Sequence, residues 1–99
     1  MTTLRIEATV SDFDTWKAAF DRDELGRASG GVRALRIHRP VDDPNCALID
    51  LDFDGPDDAG AFMATLERFW ARVAPGSVLL ETPRARLVEP VETAALAPA

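Results

Sequence analysis

The order in which alternating and helical patterns follow one another constrains this chain more than any other feature. Residues Leu4 to Val10 alternate between apolar and polar side chains, which predicts a strand with one apolar face. A helical pattern follows, then two more alternating stretches, a second helical pattern and a last alternating stretch at Arg84 to Glu89. The predicted order of elements is therefore β-α-β-β-α-β.

The first helical pattern begins at Ser11, whose hydroxyl we expect to cap the helix, with Asp14 completing a capping box. We expect this helix to continue to Ala28 before Gly30-Gly31 ends it. Three aromatic residues recur at helical spacing and predict an inward apolar stripe: Phe13, Trp16 and Phe20.

The two central strands are predicted at Val32 to Arg39 and at Cys46 to Phe53, joined by a hairpin loop rich in Asp and Pro. The second helix is predicted to begin at Gly55-Pro56, because proline is favoured in the first turn, and to end at Pro75-Gly76. Residues 78–80 are either a short strand or a packed loop. The second helix carries a broad apolar stripe: Ala59, Phe62, Met63, Leu66, Phe69, Trp70 and Val73.

This order of elements is the ferredoxin-like plan of an α+β domain, a four-stranded antiparallel sheet with both helices on one face. We predict one domain over residues 1–90 and a mobile tail over residues 91–99, where no packing pattern is present. The apolar face is predicted to be buried beneath the helices: Leu4, Ile6, Ala8, Val10, Leu35, Ile37, Ala47, Ile49, Leu51 and Phe53. The opposite face is charged: Arg5, Glu7, Arg36, His38, Asp50 and Asp52, with Arg84 or Arg86 depending on register.

The charged face allows two interpretations. Antiparallel sheets commonly leave one face in water, and this is the simpler one. Alternatively, two sheets face each other and enclose the charges, which then have to pair, since an unpaired buried charge is costly. The signs on this face nearly balance although the whole chain carries −6, and this favours a homodimer paired through its sheets.

Charge and composition exclude several classes of partner. A net charge of −6 argues against nucleic acid, which requires a basic surface, and against an anionic membrane surface. No apolar segment is long enough to act as a membrane span. Cys46 is the only cysteine, so no intramolecular disulfide forms, which fits a reducing cytoplasm.

His38 is the only histidine and is predicted on the charged face. Histidine transfers protons near neutral pH, and a carboxylate such as Glu7 or Asp50 would orient it across the sheet. The alternative is a structural hydrogen-bonding histidine. Asp50 and Asp52 share a face and form either an acid–base pair or ion pairs with arginines. One histidine with two aspartates is a poor metal signature, so we predict no metal site.

Aromatic residues on both predicted helices are candidates for the wall of a ligand cleft. Helical spacing places most of them in the core, but tryptophan is large enough to serve as both core and wall. The candidate ligand-binding residues are Trp16, Phe20, Phe62 and Trp70.

Three segments carry a resemblance to a known group of proteins. Residues 10–21 (VSDFDTWKAAFD), residues 39–45 (RPVDDPN) and residues 53–62 (FDGPDDAGAF) resemble the first helix, the central hairpin and the second-helix entry of small dimeric α+β barrel proteins. This superfamily includes antibiotic-biosynthesis monooxygenases, haem-degrading monooxygenases, lactone isomerases and polyketide cyclases. The resemblance implies a homodimer with a small-molecule cleft between sheet and helices in each subunit.

The haem-degrading members use an asparagine, a tryptophan and a histidine, whereas the only asparagine here, Asn45, is predicted in a hairpin. We therefore carry over fold and assembly, and no catalytic residue or cofactor. The first functional hypothesis is a cofactor-independent monooxygenase or cyclase acting on an aromatic or polycyclic substrate, with His38 and Asp50 or Glu7 moving a proton. The second is a non-catalytic ligand-binding or structural dimer, and the third an interaction module that uses residues 91–99.

Overall fold

The computed structural model describes residues 1–73 and 77–98 and has the predicted order of elements. Strand Cys46–Phe53 has the predicted bounds, and the last strand is one residue shorter than predicted. The predicted helix end at Pro75-Gly76 lies outside the described residues. The elements are β1 (Thr2–Thr9), α1 (Phe13–Asp21), β2 (Ala34–His38), β3 (Cys46–Phe53), α2 (Pro56–Arg72) and β4 (Arg84–Val88).

The four strands form one antiparallel sheet in the order β2-β3-β1-β4, which confirms the predicted ferredoxin-like fold. β2 and β4 are the edge strands. Along β1, Leu4 pairs with Leu51 of β3 and Leu87 of β4, so the apolar residues of neighbouring strands share one face. On the other face Arg5 lies between Asp50 and Arg86.

The core lies between the apolar face of the sheet and the two helices. α2 packs against β1, β3 and β4, and α1 joins the same core through Trp16. Full burial of each large apolar side chain stabilises the fold by about 1.5–3 kcal/mol. The most deeply buried large side chains are Leu4, Val10, Leu51 and Phe53.

Leu35 departs from the predicted core. It lies on the apolar face beside Leu51, yet 42% of Leu35 is exposed against 2% of Leu51. The cause is position in the sheet, because β2 is an edge strand and α2 packs over the three other strands. The prediction of burial was therefore wrong for Leu35.

The cap of α1 also differs from the prediction. Asp12, not Ser11, is the N-cap, and its carboxylate accepts hydrogen bonds from the Thr15 backbone N–H (2.9 Å) and hydroxyl (2.7 Å). These bonds, the hydroxyl first, lower the pKa of Asp12. The Ser11 backbone N–H instead donates to the Val78 carbonyl (3.1 Å), so Ser11 belongs to the strand side of the junction.

α1 ends at Asp21, seven residues earlier than predicted. Asp23 and Gly26 have φ angles of 51° and 68°, values that a right-handed helix excludes. The Asp23 carboxylate accepts a hydrogen bond from the Arg27 backbone N–H (2.8 Å), which stabilises a turn where the prediction extended the helix. Residues 22–31 therefore form a folded connection, which we call the α1–β2 segment.

Residues 78–80 are a packed loop that extends the end of β1. Val10 forms an isolated bridge with Leu79, and the Leu80 backbone N–H donates to the Thr9 carbonyl (3.0 Å). None of the helices in the described part of the chain has the length and apolar character needed to cross a membrane.

Candidate functional site

A cavity of about 280 Å³ lies between the helices and the apolar face of the sheet. β1 and β3 contribute its floor through Ile6, Ala8, Ile49 and Leu51. Each of these side chains points away from the charged face, because successive residues on a strand alternate. The sheet therefore gives the cavity an apolar floor.

Aromatic side chains from both helices line the walls. The rings of Trp16 and Phe20 stack with centroids 5.1 Å apart and planes tilted by 33°. Phe62 and Trp70 line the cavity from α2. The four predicted ligand-binding residues thus meet around one cavity, and their role as binding residues stays a prediction.

Charged residues line the cavity only along the α1–β2 segment, as far as the described residues extend. Arg22 pairs with Glu24 (3.2 Å), and the Arg27 guanidinium lies 3.5 Å from the Asp23 carboxylate. The arginine also stacks on Phe20, with its central carbon 3.9 Å from the ring centroid. The cavity therefore combines an apolar interior with a charged rim, a combination typical of small-molecule sites.

A smaller cavity of about 140 Å³ adjoins the first. The two share Trp70, Val73, Leu79 and Pro83 as common wall. Trp70 therefore borders both spaces.

The charged face of the sheet is organised by cross-strand rows. One row runs Arg36, Asp50, Arg5 and Arg86 across all four strands. Asp50 accepts two hydrogen bonds of 3.0 Å from the Arg5 guanidinium and lies 3.6 Å from Arg36. Arg84 lies two positions before Arg86 on β4, points to the same side of the sheet and pairs with Glu7. The sequence left undecided which of these two arginines belongs to the charged face, and both do.

Asp52 is the most buried charged residue of the described chain, with 6% of its surface exposed. Its carboxylate accepts hydrogen bonds from both Arg36 terminal nitrogens (2.7 and 3.0 Å) and from the Thr3 hydroxyl (2.7 Å). The Arg36 bonds lower the pKa of Asp52, and the Arg5 bonds lower the pKa of Asp50. Both carboxylates therefore stay ionised near neutral pH, which makes them weak general bases and good ion-pair partners.

His38 does not meet its predicted carboxylate partners within one chain. It pairs with Leu48, and Leu48 pairs with Glu7, so a whole strand separates the two residues, about 10 Å at the usual strand spacing. The Asp50 carboxylate forms ion pairs with Arg5 and Arg36. His38 is exposed and lies on the face opposite the cavity, so the candidate proton-transfer residues and the aromatic residues occupy opposite sides of the sheet.

The surroundings of Asn45 and Cys46 give no sign of a reactive site. Asn45 donates from its side-chain amide to the Val10 (3.1 Å) and Ser11 (3.0 Å) carbonyls and ties the hairpin to the end of β1. Cys46 is buried, and desolvation, followed by the negative charge of Glu7, raises the pKa of its thiol. A raised pKa disfavours the reactive thiolate. Within residues 1–73 and 77–98, no three potential metal ligands cluster.

The contribution of the α1–β2 segment was not predicted, because α1 was expected to continue through these residues. Gly26 was the sequence signal that the helix ends earlier, because glycine is unfavourable in a helix interior. In the structure Gly26 has a positive φ. The wall formed by Leu79 and Pro83 was not predicted either, since residues 78–83 carry no periodic pattern.

Neither a protein-family model nor a curated protein sequence matches the chain. Solved structures match it in fold. A "Putative antibiotic biosynthesis monooxygenase" from Nitrosomonas europaea superposes with a TM-score of 0.65 and 16% identity, over 93% of this chain and 100% of that one. A protein of the same description from Bordetella bronchiseptica gives 0.59 and 17%, over 92% and 98%.

A haem-degrading protein from Mycobacterium tuberculosis, whose structure has two haems bound in its active site, matches with a TM-score of 0.55. Its identity is 12%, over 94% of this chain and 99% of that one. Superpositions of this quality at such low identity show a shared fold and no shared activity. The chain therefore has the fold of antibiotic-biosynthesis-monooxygenase-like proteins over nearly its whole length, as the resemblance implied.

Proposed function

We propose that this protein binds a small aromatic or polycyclic molecule in the cavity between sheet and helices. The observation that carries the proposal is the cavity itself, about 280 Å³ with Trp16, Phe20, Phe62 and Trp70 in its wall. Flat aromatic rings pack favourably against such a wall by offset stacking and exclusion of water. The fold is shared with proteins described as antibiotic biosynthesis monooxygenases, which supports a monooxygenase acting on this ligand; a cyclase is the alternative enzyme.

In that role the chain would act by positioning and desolvation. The floor and walls hold the ligand in a water-poor space, where orientation alone lowers an activation barrier substantially. We propose that the reaction needs no bound metal or organic cofactor. The titratable side chains that line the cavity, within the described residues, belong to the rim: Arg22, Asp23, Glu24 and Arg27.

Proton transfer by His38 with Asp50 or Glu7 remains part of the proposal, but at a site outside the cavity. These side chains lie across the sheet from the cavity, so they would act on a molecule held between two sheets and not on one in the cavity. The proposal therefore includes two possible ligand locations, the cavity and the space between two sheets, and substitutions on either side of the sheet distinguish them.

We further propose a homodimer in which the charged faces of two sheets meet. The charged side of the sheet carries four arginines and three carboxylates, so it is close to neutral while the chain carries −6. These residues are Arg5, Arg36, Arg84 and Arg86 with Glu7, Asp50 and Asp52. A near-neutral set of opposite charges can pair across an interface without a large repulsive term. We also propose that the protein works in the cytoplasm, where its single Cys46 stays reduced.

The assembly is tested by light scattering across protein concentration and salt. A dimer of twice 10.8 kDa that persists in high salt supports enclosed charges, because buried pairs are screened little. A monomer at all concentrations would contradict the paired sheets and leave the cavity as the site.

The binding function is tested by titration of aromatic and polycyclic molecules, followed by quenching of Trp16 and Trp70 fluorescence. Molecules that bind are then assayed for oxygen uptake and product formation. Oxygen uptake that survives His38→Ala but is lost with Trp70→Ala places the reaction in the cavity. Loss with His38→Ala in an intact dimer places it between the sheets.

The second candidate function is non-catalytic binding of the same molecule. The observation that favours it is the lack of titratable groups in the described cavity wall apart from the rim. Tight binding without oxygen uptake or chemical change of any bound molecule is the outcome that supports it.

A further inference from the structure

Arg27 occupies a distinct position among the charged residues of the rim. Its side chain is 19% exposed, against 40% for Asp23, 55% for Glu24 and 64% for Arg22. The least exposed charged side chain that lines the described part of the cavity is therefore a cation, although the chain as a whole is acidic.

The contacts of Arg27 hold it in place, and one carboxylate, that of Asp23, lies close to it. The guanidinium stacks on the Phe20 ring, and its Nη1 donates to the Phe20 carbonyl (2.9 Å). The Asp23 carboxylate lies 3.5 Å from Nε, while its shorter bond of 2.8 Å goes to the Arg27 backbone N–H. A guanidinium has five N–H donors, so this geometry leaves donors for a further acceptor at the cavity mouth.

We infer that Arg27 binds the carboxylate of an aromatic carboxylic acid whose rings fill the cavity. The inference rests on the proposed function and specifies the class of ligand. The planar fork of arginine matches the two oxygens of a carboxylate, and such charge-assisted bonds are stronger than neutral ones. Stacking on Phe20 fixes the orientation of the fork, so little conformational freedom remains to be lost on binding.

The test compares 2-naphthoate with 2-naphthalenemethanol by isothermal titration calorimetry, since the two probes share their rings and differ in the charged group. We expect the unmodified protein to prefer the acid. Arg27→Gln should weaken binding of 2-naphthoate about tenfold, equivalent to about 1.4 kcal/mol. The same variant should change binding of the alcohol less than about twofold, because the alcohol offers no carboxylate to the guanidinium.

Arg33→Gln is the matched control. Arg33 forms an exposed pair with Asp54 (3.2 Å) outside the cavity, and its replacement removes the same charge. We expect this variant to bind both probes as the unmodified protein does. Arg27→Lys keeps the charge but not the fork or the stacking, and it should retain only part of the preference for the acid.

Three outcomes would overturn the inference. Equal affinity for both probes in the unmodified protein would show that no carboxylate is recognised. Equal weakening of both probes by Arg27→Gln would show that Arg27 only supports the shape of the α1–β2 segment. Failure of both probes to bind the unmodified protein would contradict the proposed aromatic cavity itself, and the inference with it.

Discussion

The two faces of the sheet are built by the same strands and have opposite physical character. The face toward the helices carries apolar side chains and encloses a cavity. The other face carries rows of arginine and carboxylate that satisfy one another, as in the bonds from Arg5 to Asp50 and from Arg36 to Asp52. Burial stabilises the first face, and charge pairing organises the second.

Successive residues along each strand point alternately to the apolar side and to the charged side of the sheet. A residue that lies one position along the strand from a residue of the cavity floor points to the opposite side of the sheet, away from the cavity. Glu7 stands between Ile6 and Ala8, which both line the cavity, yet Glu7 itself points to the charged face. Nearness in sequence therefore says nothing about access to the cavity.

The largest expected effect tests the apolar face. Leu4→Ala should lower the free energy of unfolding by about 3 kcal/mol, since Leu4 is fully buried and the helices cannot close the gap. Leu35→Ala, on the same face at the exposed edge, should cost no more than about 1 kcal/mol. Urea denaturation at one protein concentration measures both, and similar costs would contradict the role assigned to burial.

A second variant tests how tightly the α1–β2 segment closes the helical side. A Cβ at position 30 would come within 2.6 Å of the Phe62 ring, so Gly30→Ala has to displace a buried wall of the cavity. We expect a loss of about 2 kcal/mol and weaker binding of aromatic probes. Gly55→Ala is the control, because nothing lies within 4 Å of its added Cβ. Unchanged stability and binding in Gly30→Ala would show that the segment is not packed on Phe62.

The third prediction concerns the charged face. Asp52→Asn should cost about 1–2 kcal/mol, because the neutral amide cannot accept both Arg36 bonds and the Thr3 bond as the carboxylate does. Asp54→Asn, at an exposed position paired with Arg33, should cost much less. Thermal unfolding of the two variants makes the comparison, and equal midpoints would reduce the Asp52 network to a surface ion pair.

The smallest expected effect is the response to acid. The folded chain lowers the pKa of Asp50 and Asp52, so the unfolded chain takes up protons first as the pH falls. Their stabilisation is complete above the unfolded pKa of about 3.9 and is lost as the pH drops through the folded values. Urea midpoints between pH 6 and pH 3 should fall less steeply in Asp52→Asn. An unchanged slope would mean that this carboxylate is not held ionised by folding.

The sequence predicted the architecture because period-2 and helical patterns are strong in this chain. The bounds of β3 and the start of α2 at Gly55-Pro56 were correct, since a long alternation and a proline at the first turn leave little freedom. The cap of α1 and its end were wrong because the energies involved are local and small. Asp12 competes with Ser11 for the cap, and the turn at Asp23 depends on a side-chain bond to Arg27.

The candidate site was predicted only in part. The four aromatic residues were placed on the correct faces by helical spacing, and they meet at one cavity. The combination of that cavity with His38 was not supported, although alternation along β2 already placed His38 on the charged face. Arg27 was missed because its position depends on a non-helical turn, which helix periodicity cannot indicate.

The arginines on the outer strands have a consequence for association. β2 and β4 leave backbone groups open at the two edges of the sheet, and such edges invite further strands to pair. Arg84 and Arg86 on β4 place positive charge beside one edge, whereas Arg36 on β2 is paired with Asp52. Two copies that approached each other through β4 would bring like charges together, so this chain is biased against pairing at that edge.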